Sequence, residues 1–455
     1  MNVRIVKPVQ GGTIGAIASK SAAHRLLICA SLADNETFVR CQERSQDIDA
    51  TACCLEALGA VIRYEDGGFF VTPVNKNDYL TNDTNGAESG IAKERSLDCA
   101  ESERLLNCGE SGSTLRFLLP VCGALGAKVK FNMEGRLPAR PLTGLYEEMT
   151  AHGCTLSEHG INPLTLCGKL TSGSYSLPGN ISSQFISGLL FALPLLEGGG
   201  SISVKGNLES RPYVDMTLDA LRLFGIDVQE EEKSSVTFRI TGNQTYRSPK
   251  NVQTEGDWSN AAFWLCAGAI GSDTIGNGGV TCTGLDINSR QGDRAVAELL
   301  KKFGAQVSVN SGSVKVSPSA LKGIEIDAQD TPDLVPVLAA VASTAQGETI
   351  IKGAGRLRLK ESDRLRAVAE TLSSLGADIK ETDDGLVIQG KNKLQGGAVQ
   401  SFGDHRIAMA AAVLSGACSN PVTIQNAEAV NKSYPAFFND FQTALGGVCE
   451  KDENS

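Results

Sequence analysis

The same succession of apolar and polar positions occurs at six places along the chain. At each place a run of helical spacing ends at a glycine and an apolar strand follows, as in Leu372-Ser-Ser-Leu-Gly-Ala-Asp-Ile379. The six glycines are Gly59, Gly153, Gly225, Gly304, Gly376 and Gly446. Glycine after a helix permits the left-handed turn that leads into the next strand. The pattern therefore predicts six helix-to-strand junctions.

The spacing of these glycines indicates the size of a repeated unit. Successive glycines lie roughly 70 to 95 residues apart, which is too long for a solenoid repeat and suits a β-α-β-type unit with two helices and several strands. The first interval is the longest. The polar stretch 77–99 within it is predicted to be an inserted loop.

Each unit also contains a second helix, in which a polar start leads into an apolar run. The polar starts begin at Ser19, Glu110, Ser182, Glu255, Asp330 and Gly403. A helix that is apolar nearly all round belongs in a core, and helix N-termini attract anions. If these N-termini converge, we expect one anion-attracting cleft. Ordinary N-caps are the simpler explanation, since Ser, Asp and Gly are common there.

Composition excludes several classes of protein. The formal net charge of -10 argues against binding to nucleic acid or to an anionic membrane. No apolar run is long enough to span a bilayer, and the N-terminus has no apolar signal core. The 13 cysteines lack CxxC spacing and the 4 histidines lack HxxH spacing, so we expect reduced thiols, no metal site and a cytoplasmic location. The 455 residues suit two or three domains.

The segment from Arg356 to Arg364 has four cations and two carboxylates in nine residues, although the chain as a whole is acidic. It precedes a predicted helix, where such cations suit two phosphates or carboxylates. Glu361 and Asp363 remain for proton transfer or for orienting the cations. A solvated, salt-bridged helix face is the alternative interpretation.

Further charged motifs lie near the predicted buried helices. Lys20 and Arg25 suit one phosphate, and Gly112 lets a ligand approach the backbone of a small-residue loop. Proline next to Arg140 restricts the direction of that side chain. The motif Asp404-His405-Arg406 and Lys432 complete the set. Each motif alone has a simpler explanation as a helix end, a turn or a solvated surface, but together they favour one site.

In order, and along nearly the whole chain, these motifs resemble the family of 5-enolpyruvylshikimate-3-phosphate synthases, also called 3-phosphoshikimate 1-carboxyvinyltransferases. The matching residues are Lys20, Ser21 and Arg25, the loop 109–116, Arg140-Pro141, Ser182-Ser183-Gln184, Ser210-Arg-Pro-Tyr213, Pro332-Asp333, Lys360-Glu361-Ser-Asp-Arg364, Asp404-His405-Arg406 and Lys432. The resemblance implies an α/β fold of two inside-out domains, each of three repeated units whose buried helices point at the interdomain cleft. One domain is expected at residues 20–253 and the other at 1–19 plus 254–455, with crossovers near 19 and 254.

The resemblance also implies a reaction. The enolpyruvyl group of phosphoenolpyruvate passes to the 5-hydroxyl of shikimate 3-phosphate through a tetrahedral intermediate that loses phosphate, as a step of the shikimate pathway to chorismate and the aromatic amino acids. It implies no cofactor, a monomer and, because Gly112 is retained, inhibition by glyphosate. Glu110 and Phe117 depart from the family pattern, in which many members have asparagine and some have proline at these places.

Residue roles are implied by the same resemblance. Asp333 would accept the proton of the attacking hydroxyl, Glu361 would handle the methylene proton, and Lys20 would protonate the leaving phosphate. The residues expected to hold shikimate 3-phosphate are Lys20, Ser21, Arg25, Ser182, Ser183, Gln184, Ser210, Asp333 and Lys360, with Tyr213 lining that pocket. The residues expected to hold phosphoenolpyruvate are Lys20, Gly112, Arg140, Gln184, Arg364, Arg406 and Lys432.

Other functions fit the sequence less well. The sister enzyme, UDP-N-acetylglucosamine 1-carboxyvinyltransferase, typically has a reactive cysteine before its Arg-Pro pair, and this chain has none between Gly135 and Arg140. A non-catalytic metabolite-binding protein would lack Lys20, Asp333 or Glu361, and all three are present. We expect a free-standing enzyme rather than a module of a multi-enzyme polypeptide.

Overall fold

The computed structural model describes residues 1–79, 103–232, 235–270 and 279–452. Within these ranges the chain forms short strands and helices in close succession. The α-helices are α1 Lys20–Ser31, α2 Gln46–Ala57, α3 Gly112–Leu125, α4 Leu145–Ala151, α5 Ser183–Ala192, α6 Arg211–Leu223, α7 Trp258–Ile270, α8 Val296–Phe303, α9 Val335–Ala342, α10 Arg364–Ser374, α11 His405–Leu414 and α12 Phe437–Thr443.

The strands form six sheets of four strands each. In the first half of the chain the strands are β1 Asn2–Lys7, β2 Gly12–Gly15, β3 Thr37–Arg40, β4 Val61–Glu65, β5 Gly68–Thr72, β6 Arg104–Gly109, β7 Val129–Met133, β8 Cys154–Leu156, β9 Leu164–Gly168, β10 Gly173–Pro178, β11 Gly200–Lys205, β12 Gln229–Glu232 and β13 Val236–Ile240. In the second half they are β14 Asn251–Gln253, β15 Val280–Thr283, β16 Gln306–Asn310, β17 Ser313–Ser317, β18 Glu325–Asp327, β19 Glu348–Lys352, β20 Asp378–Glu381, β21 Leu386–Gln389, β22 Gly397–Gln400, β23 Val422–Gln425 and β24 Val448–Asp452.

All six sheets share one topology. Their strand orders are β14-β3-β5-β4, β6-β7-β9-β8, β10-β11-β13-β12, β2-β15-β17-β16, β18-β19-β21-β20 and β22-β23-β1-β24. In each order the first two strands are parallel and the other neighbours are antiparallel. Parallel neighbours need a crossover connection, usually a helix. The helices α3, α5, α9 and α11 make that connection in four of the sheets.

The two remaining sheets exchange a strand. β2 leads into α1 but pairs with β15, and β14 leads into α7 but pairs with β3. The buried apolar residues accordingly form two clusters, one from residues 23–252 and one from residues 3–17 and 258–449. This division supports the predicted domains 20–253 and 1–19 plus 254–455, whose boundaries stay a prediction.

The predicted helix-to-strand junctions are all present. Each of the six glycines has a positive φ, namely 99° at Gly59, 95° at Gly153, 76° at Gly225, 98° at Gly304, 99° at Gly376 and 66° at Gly446. An L-residue with a Cβ is disfavoured in this left-handed region, so glycine is the residue that fits. The following strand is the outer strand of its sheet in every case.

The second helix of each unit is buried, as predicted. Ser19, Ser111, Ser182 and Asp404 cap α1, α3, α5 and α11, and each side chain accepts a bond from a backbone N–H of the first turn. Such a cap satisfies a donor that would otherwise be buried without a partner. The apolar parts of these helices pack in the two cores, and the first turn of each helix contains polar residues.

The predicted inserted loop needs correction at its start. Residues Lys76–Tyr79 form a 3-10 helix, and the buried Tyr79 hydroxyl donates to the Leu58 carbonyl. Residues 77–79 therefore pack against the first unit instead of leaving it. Residues 80–99 of the predicted loop lie outside the described residues.

The described ranges contain neither a helix that could span a membrane nor a group of side chains that could hold a metal ion. No helix within them is both long and apolar enough to cross a bilayer. Nor do their His, Cys, Asp and Glu side chains form a group of three or more that could hold a metal ion. The cysteines in these ranges are free thiols, and most of them are buried.

Candidate active site

A cavity lies where the N-termini of the buried helices meet. Residues at the starts of α1, α3, α5 and α11 line it, together with the segments Pro332–Leu334 before α9 and Gly355–Leu359 before α10. The predicted site residues in its wall are Lys20, Ser21, Arg25, Gly112, Arg140, Ser182, Ser183, Gln184, Ser210, Tyr213, Asp333, Lys360, Glu361, Arg364 and Arg406. The structure thus brings together every predicted site residue except Lys432.

Asp333 lies within a group of cations. Its carboxylate contacts Arg364 (Nη1–Oδ1, 2.9 Å), Arg406 (Nη2–Oδ2, 3.0 Å) and Lys360 (Nζ–Oδ1, 3.7 Å). Burial alone would raise the pKa of Asp333, but the charges of Arg406, Lys360 and Arg364 hold that pKa well below its usual range. Asp333 is therefore ionised, and its strength as a base depends on where these three cations point.

Arg364 connects a second carboxylate to the start of α11. Its Nη2 donates to Glu361 Oε2 at 2.7 Å and its Nε donates to Asp404 Oδ2 at 2.9 Å. Arg364 is only 1% exposed and Asp404 is wholly buried. Burial would raise the pKa of Glu361, but Arg364 and Arg140 hold it well below its usual range. One buried guanidinium therefore contacts both predicted catalytic carboxylates and is one of the cations that keep them ionised.

Two other arginines lie against the backbone of Gly112, at the start of α3. A Cβ placed on Gly112 would come within 2.8 Å of Arg140 Nη1 and 3.0 Å of Arg116 Nη1. Arg116 donates to Gln184 Oε1 at 2.9 Å, and Gln184 Nε2 donates to Ser113 Oγ at 2.8 Å. Two planar cations beside a helix N-terminus are suited to a phosphate or a carboxylate.

Lys20, the first residue of α1, bridges acids from both cores. Its Nζ lies 2.8 Å from Asp47 Oδ2, and its backbone N–H donates to Asp257 Oδ2 at 3.1 Å. Burial lowers the pKa of Lys20, but Asp47 more than offsets this effect and the net shift is upward. Lys20 is therefore a charged donor in a fixed position. Asp257 precedes α7, the one buried helix whose start is beside the cavity and not in its wall.

Arg25 is held in place from three sides. Its Nη1 donates to the Ser21 carbonyl at 2.6 Å and its Nη2 donates to the Tyr213 carbonyl at 2.7 Å. The guanidinium carbon lies 5.1 Å from the centre of the buried Phe117 ring. Phe117, which departs from the family pattern, therefore supports a predicted substrate-binding cation by a cation–π contact.

A further cation of the cavity wall, Arg356, contacts Ser210. Ser210 has a left-handed φ of 55° and accepts a bond from Arg356 Nη2 at 3.1 Å. Arg356 also forms an ion pair with Glu209 at 2.5 Å. The side chain of Ser210 is thus oriented by Arg356, which belongs to the cation cluster noted in the sequence but was not among the predicted substrate-binding residues.

Lys432 does not line the cavity, but it connects the segment before α3 to the segment before α11. Its Nζ contacts Glu110 Oε2 and donates to the Gly403 carbonyl at 2.7 Å. Glu110 precedes α3 of one core and Gly403 precedes α11 of the other. A Cβ on Gly135 would come within 2.6 Å of the Glu110 carboxyl carbon, so glycine leaves the room that this carboxylate occupies. The acidic departure at Glu110 is therefore paired with a cation.

Burial changes the ionisation of two more groups in the wall. It lowers the pKa of Lys360 to about 8. Burial, followed by the charge of Lys20, holds the pKa of His405 well below its usual range. Neutral His405 has no hydrogen-bond partner at either ring nitrogen among the described residues. The cavity therefore combines permanent cations with Lys360, which loses its charge as the pH rises through about 8, and with a neutral histidine.

Some residues of the cavity wall were not among the predicted catalytic or substrate-binding residues. Asp47, Arg116 and Arg356 are three of these. The two arginines occur in motifs noted from the sequence, but no local pattern distinguishes Asp47. Conversely, Arg358 pairs with Asp363 at 3.2 Å and Asp363 caps α10, and neither lines the cavity. For these two residues the salt-bridged helix face is the correct interpretation.

Comparison with known proteins connects this site to one family. The sequence matches the family description "EPSP synthase (3-phosphoshikimate 1-carboxyvinyltransferase)" over residues 3–441. A protein of Clostridium kluyveri named 3-phosphoshikimate 1-carboxyvinyltransferase is 43% identical over 434 residues, which cover 95% of this chain and 94% of the relative. A Clostridium acetobutylicum protein of the same name is 43% identical and covers 96% of each chain.

Solved structures agree with this result. An EPSP synthase of Acinetobacter baumannii matches with a TM-score of 0.75 and 26% identity, over 99% of this chain and 100% of its own. The enolpyruvyl transferase NikO of Streptomyces tendae, at 17% identity and a TM-score of 0.72, shares the fold. The resemblance and the two-domain α/β fold predicted from the sequence are confirmed. The chain belongs to the EPSP synthase family.

Proposed function

We propose that this chain transfers the enolpyruvyl group of phosphoenolpyruvate to the 5-hydroxyl of shikimate 3-phosphate and releases phosphate. The observation that carries the proposal is a pair of ionised carboxylates, Asp333 and Glu361, held by the buried Arg364 in a cavity lined with cations. Curated relatives that are 43% identical bear the name of this activity. Two polyanionic substrates repel each other, and fixed cations in a cleft offset that repulsion.

Shikimate 3-phosphate is held on the side of α1 and α5. The groups that hold it are Lys20, Ser21, Arg25, Ser182, Ser183, Gln184, Ser210, Asp333 and Lys360. The serine hydroxyls and the start of α5 suit phosphate and hydroxyl oxygens, and Arg25 and Lys360 supply charge. Tyr213 closes the pocket behind this substrate.

Phosphoenolpyruvate is held on the side of α3 and α11. The groups that hold it are Lys20, Gly112, Arg140, Gln184, Arg364, Arg406 and Lys432. When its carboxylate contacts Arg364 and Arg406, these cations turn away from Asp333, and the pKa of Asp333 rises toward its usual range. Asp333 thus becomes an effective base only when the second substrate is present.

The reaction then needs four proton transfers to or from the substrates. Asp333 accepts the proton of the 5-hydroxyl as its oxygen bonds to the substituted carbon of phosphoenolpyruvate. Glu361 takes up a proton when Arg364 and Arg140 turn toward phosphoenolpyruvate, delivers it to the methylene carbon and later removes one from the resulting methyl group. Lys20 protonates the phosphate that leaves the tetrahedral intermediate. Each such group contributes roughly 10²–10⁴-fold to the rate.

The test is phosphate release from shikimate 3-phosphate and phosphoenolpyruvate, beside a parallel reaction with UDP-N-acetylglucosamine. We expect release in the first reaction only. Asp333→Asn and Glu361→Gln should lower kcat by about 10²–10⁴-fold. The control Asp383→Asn changes an exposed acid and should leave kcat unchanged. Release only with UDP-N-acetylglucosamine, or in neither reaction from folded protein, would contradict the proposal.

The proposal includes the organisation of the enzyme. We infer a monomer in the cytoplasm, with domains 20–253 and 1–19 plus 254–455 that close on the substrates. Both substrates contact residues of one chain in this arrangement, so no second copy is needed to complete the site. Light scattering should give a mass near 47.9 kDa with and without substrates, and a doubled mass would contradict the monomer.

A further inference from the structure

A buried aspartate lies behind Tyr213, whose hydroxyl contacts the same oxygen of Asp333 that Arg406 contacts. Asp293 belongs to the 3-10 helix Gly292–Ala295 and is 2% exposed. Its Oδ2 lies 3.3 Å from the hydroxyl oxygen of Tyr213, which lies 3.4 Å from Asp333 Oδ2. Among the described residues, Asp293 Oδ1 makes no hydrogen bond of good geometry, and the Ser259 hydroxyl that faces Asp293 makes none either. One hydroxyl therefore spans two carboxyl groups, of which the inner one is incompletely bonded.

The groups around Asp293 come from several elements. Those that face it are Tyr213 on α6, Asp257 before α7, the Ser259 hydroxyl on α7, Asp333 before α9 and Arg406 on α11. Burial and then the charge of Asp333 raise the pKa of Asp293 to about 6, although Arg406 acts in the opposite direction. The pKa of Asp333 is shifted the other way, to well below its usual range. A proton is therefore more stable on Asp293 than on Asp333.

We propose that Asp293 acts through Tyr213 as the proton store for Asp333, an inference that rests on the proposed function. The 5-hydroxyl gives its proton to Asp333 as its oxygen bonds to carbon. Asp333 passes this proton to the Tyr213 oxygen while the tyrosine's own proton moves to Asp293. Only protons move among the oxygens of Asp333, Tyr213 and Asp293, and each oxygen keeps its electron pairs. After product release, the reverse transfer returns the proton to Asp333 and then to water.

The store has a chemical consequence for the intermediate. If the proton stayed on Asp333, it could return to the substrate oxygen and reverse the addition. Once the proton is on Asp293, Asp333 is again a carboxylate and holds no proton that it could return to the substrate oxygen. Asp293 does not line the cavity, so it is a positioning residue that acts through Tyr213.

The experiment measures kcat for phosphate release at saturating substrates, as a function of pH, for the full-length enzyme. The variants are Asp293→Asn, Tyr213→Phe and the double variant. The control is Asp440→Asn, because Asp440 Oδ2 accepts a bond from the Tyr434 hydroxyl at 2.8 Å in the same core but away from the cavity. It removes an aspartate–tyrosine contact without touching the proposed path.

We expect each single variant to lower kcat about ten-fold at pH of about 8, and the double variant to lose no more than either, because both interrupt one path. The ratio of wild-type to Asp293→Asn kcat should fall toward one as the pH drops below about 6, where wild-type Asp293 is already protonated. The substrates titrate identically in every sample, so their ionisation cancels from this ratio. Asp440→Asn should show a constant ratio.

Two outcomes would overturn the proton store. Losses that multiply in the double variant, or a ratio that stays constant with pH, would mean that Asp293 only packs against Tyr213. Tyr213→Phe keeps the ring, so the pH readout survives even if Asp293→Asn fails to fold. A wild-type enzyme that releases no phosphate at any pH would instead overturn the proposed function.

Discussion

A small substitution at Gly112 should change the KM for one substrate and leave the KM for the other nearly unchanged. In Gly112→Ala the new methyl group meets the ends of Arg140 and Arg116, which are flexible and move by a few tenths of an ångström. We expect the KM for phosphoenolpyruvate to rise about ten-fold, equivalent to about 1.4 kcal/mol, with little change in the KM for shikimate 3-phosphate. Steady-state kinetics with each substrate varied in turn measure this split.

A second readout and a control sharpen this prediction. Glyphosate should inhibit the unaltered enzyme and should inhibit Gly112→Ala less, because the resemblance implies that this inhibitor needs Gly112. Gly15→Ala is the control, since a Cβ on Gly15 meets nothing within 4 Å. Equal rises in both KM values, or no inhibition of the unaltered enzyme at high glyphosate, would contradict the prediction.

Loss of the charge on Lys360 should limit the activity of the enzyme at alkaline pH. Because burial lowers the pKa of Lys360 to about 8, its ammonium is charged below that pH and neutral above it. We expect kcat/KM for shikimate 3-phosphate to fall as the pH rises through about 8, since this parameter reports groups of the free enzyme. Arginine stays charged throughout this range. Lys360→Arg should therefore abolish the fall, and an unchanged profile in that variant would contradict the assignment.

The N-cap residue of a buried helix in this protein has a second role besides capping the helix. Asp404 caps α11, and it also neutralises Arg364, whose side chain is 1% exposed. Asp404→Ala leaves that guanidinium buried without its main partner, so we expect the free energy of unfolding to fall by about 3–5 kcal/mol. Urea denaturation measures the loss.

The matched control for this helix start is the cap of an outer helix. Ser45 accepts a bond from the Ile48 N–H at the start of α2 and neutralises no buried cation. Ser45→Ala should therefore cost about 1 kcal/mol, the ordinary value of a cap. If Asp404→Ala costs no more than Ser45→Ala, the carboxylate serves only as a cap, and Arg364 is stabilised by other groups.

The molecule as a whole is two cores joined by exchanged strands, with the cavity between them. Few ion pairs among the described residues span the two cores. The pair of Glu110 and Lys432 is one of these. Glu110 shares the charge of Lys432 and adds a negative charge near a polyanionic substrate. We expect Glu110→Gln to lower the KM for phosphoenolpyruvate about three-fold at low salt, because the pair is partly exposed and worth at most about 1 kcal/mol.

Salt provides the first check on this prediction. The difference between Glu110→Gln and wild type should shrink as ionic strength rises, because salt screens partly exposed charges. Glu134→Gln is the control, since Glu134 is an exposed acid close to Gly135, and no ion pair to it occurs among the described residues. A KM that rises in Glu110→Gln would mean that Glu110 is needed to hold Lys432 in its binding position.

Local pattern was enough to predict the six junctions and the buried helices, because both depend on neighbours in the chain. A left-handed turn needs glycine at one position, and an apolar run with a polar start needs a core on all sides. Family motifs then predicted most of the cavity wall, including Asp333 and Gly112. The exchange of β2 and β14 between sheets had no local signal, because strand pairing is decided by distant partners.

Contacts between residues that are distant in the sequence could be identified only in the folded structure. Asp47 meets Lys20, and Asp293 meets Tyr213 80 residues away in the sequence. Lys432 meets Glu110 across the two cores, whereas the motif alone had placed it in the cavity. The sequence specifies which groups can ionise, but the direction of a pKa shift depends on burial and on the nearest charges. Those are set by packing, and so the ionisation of the site was decided by the tertiary fold.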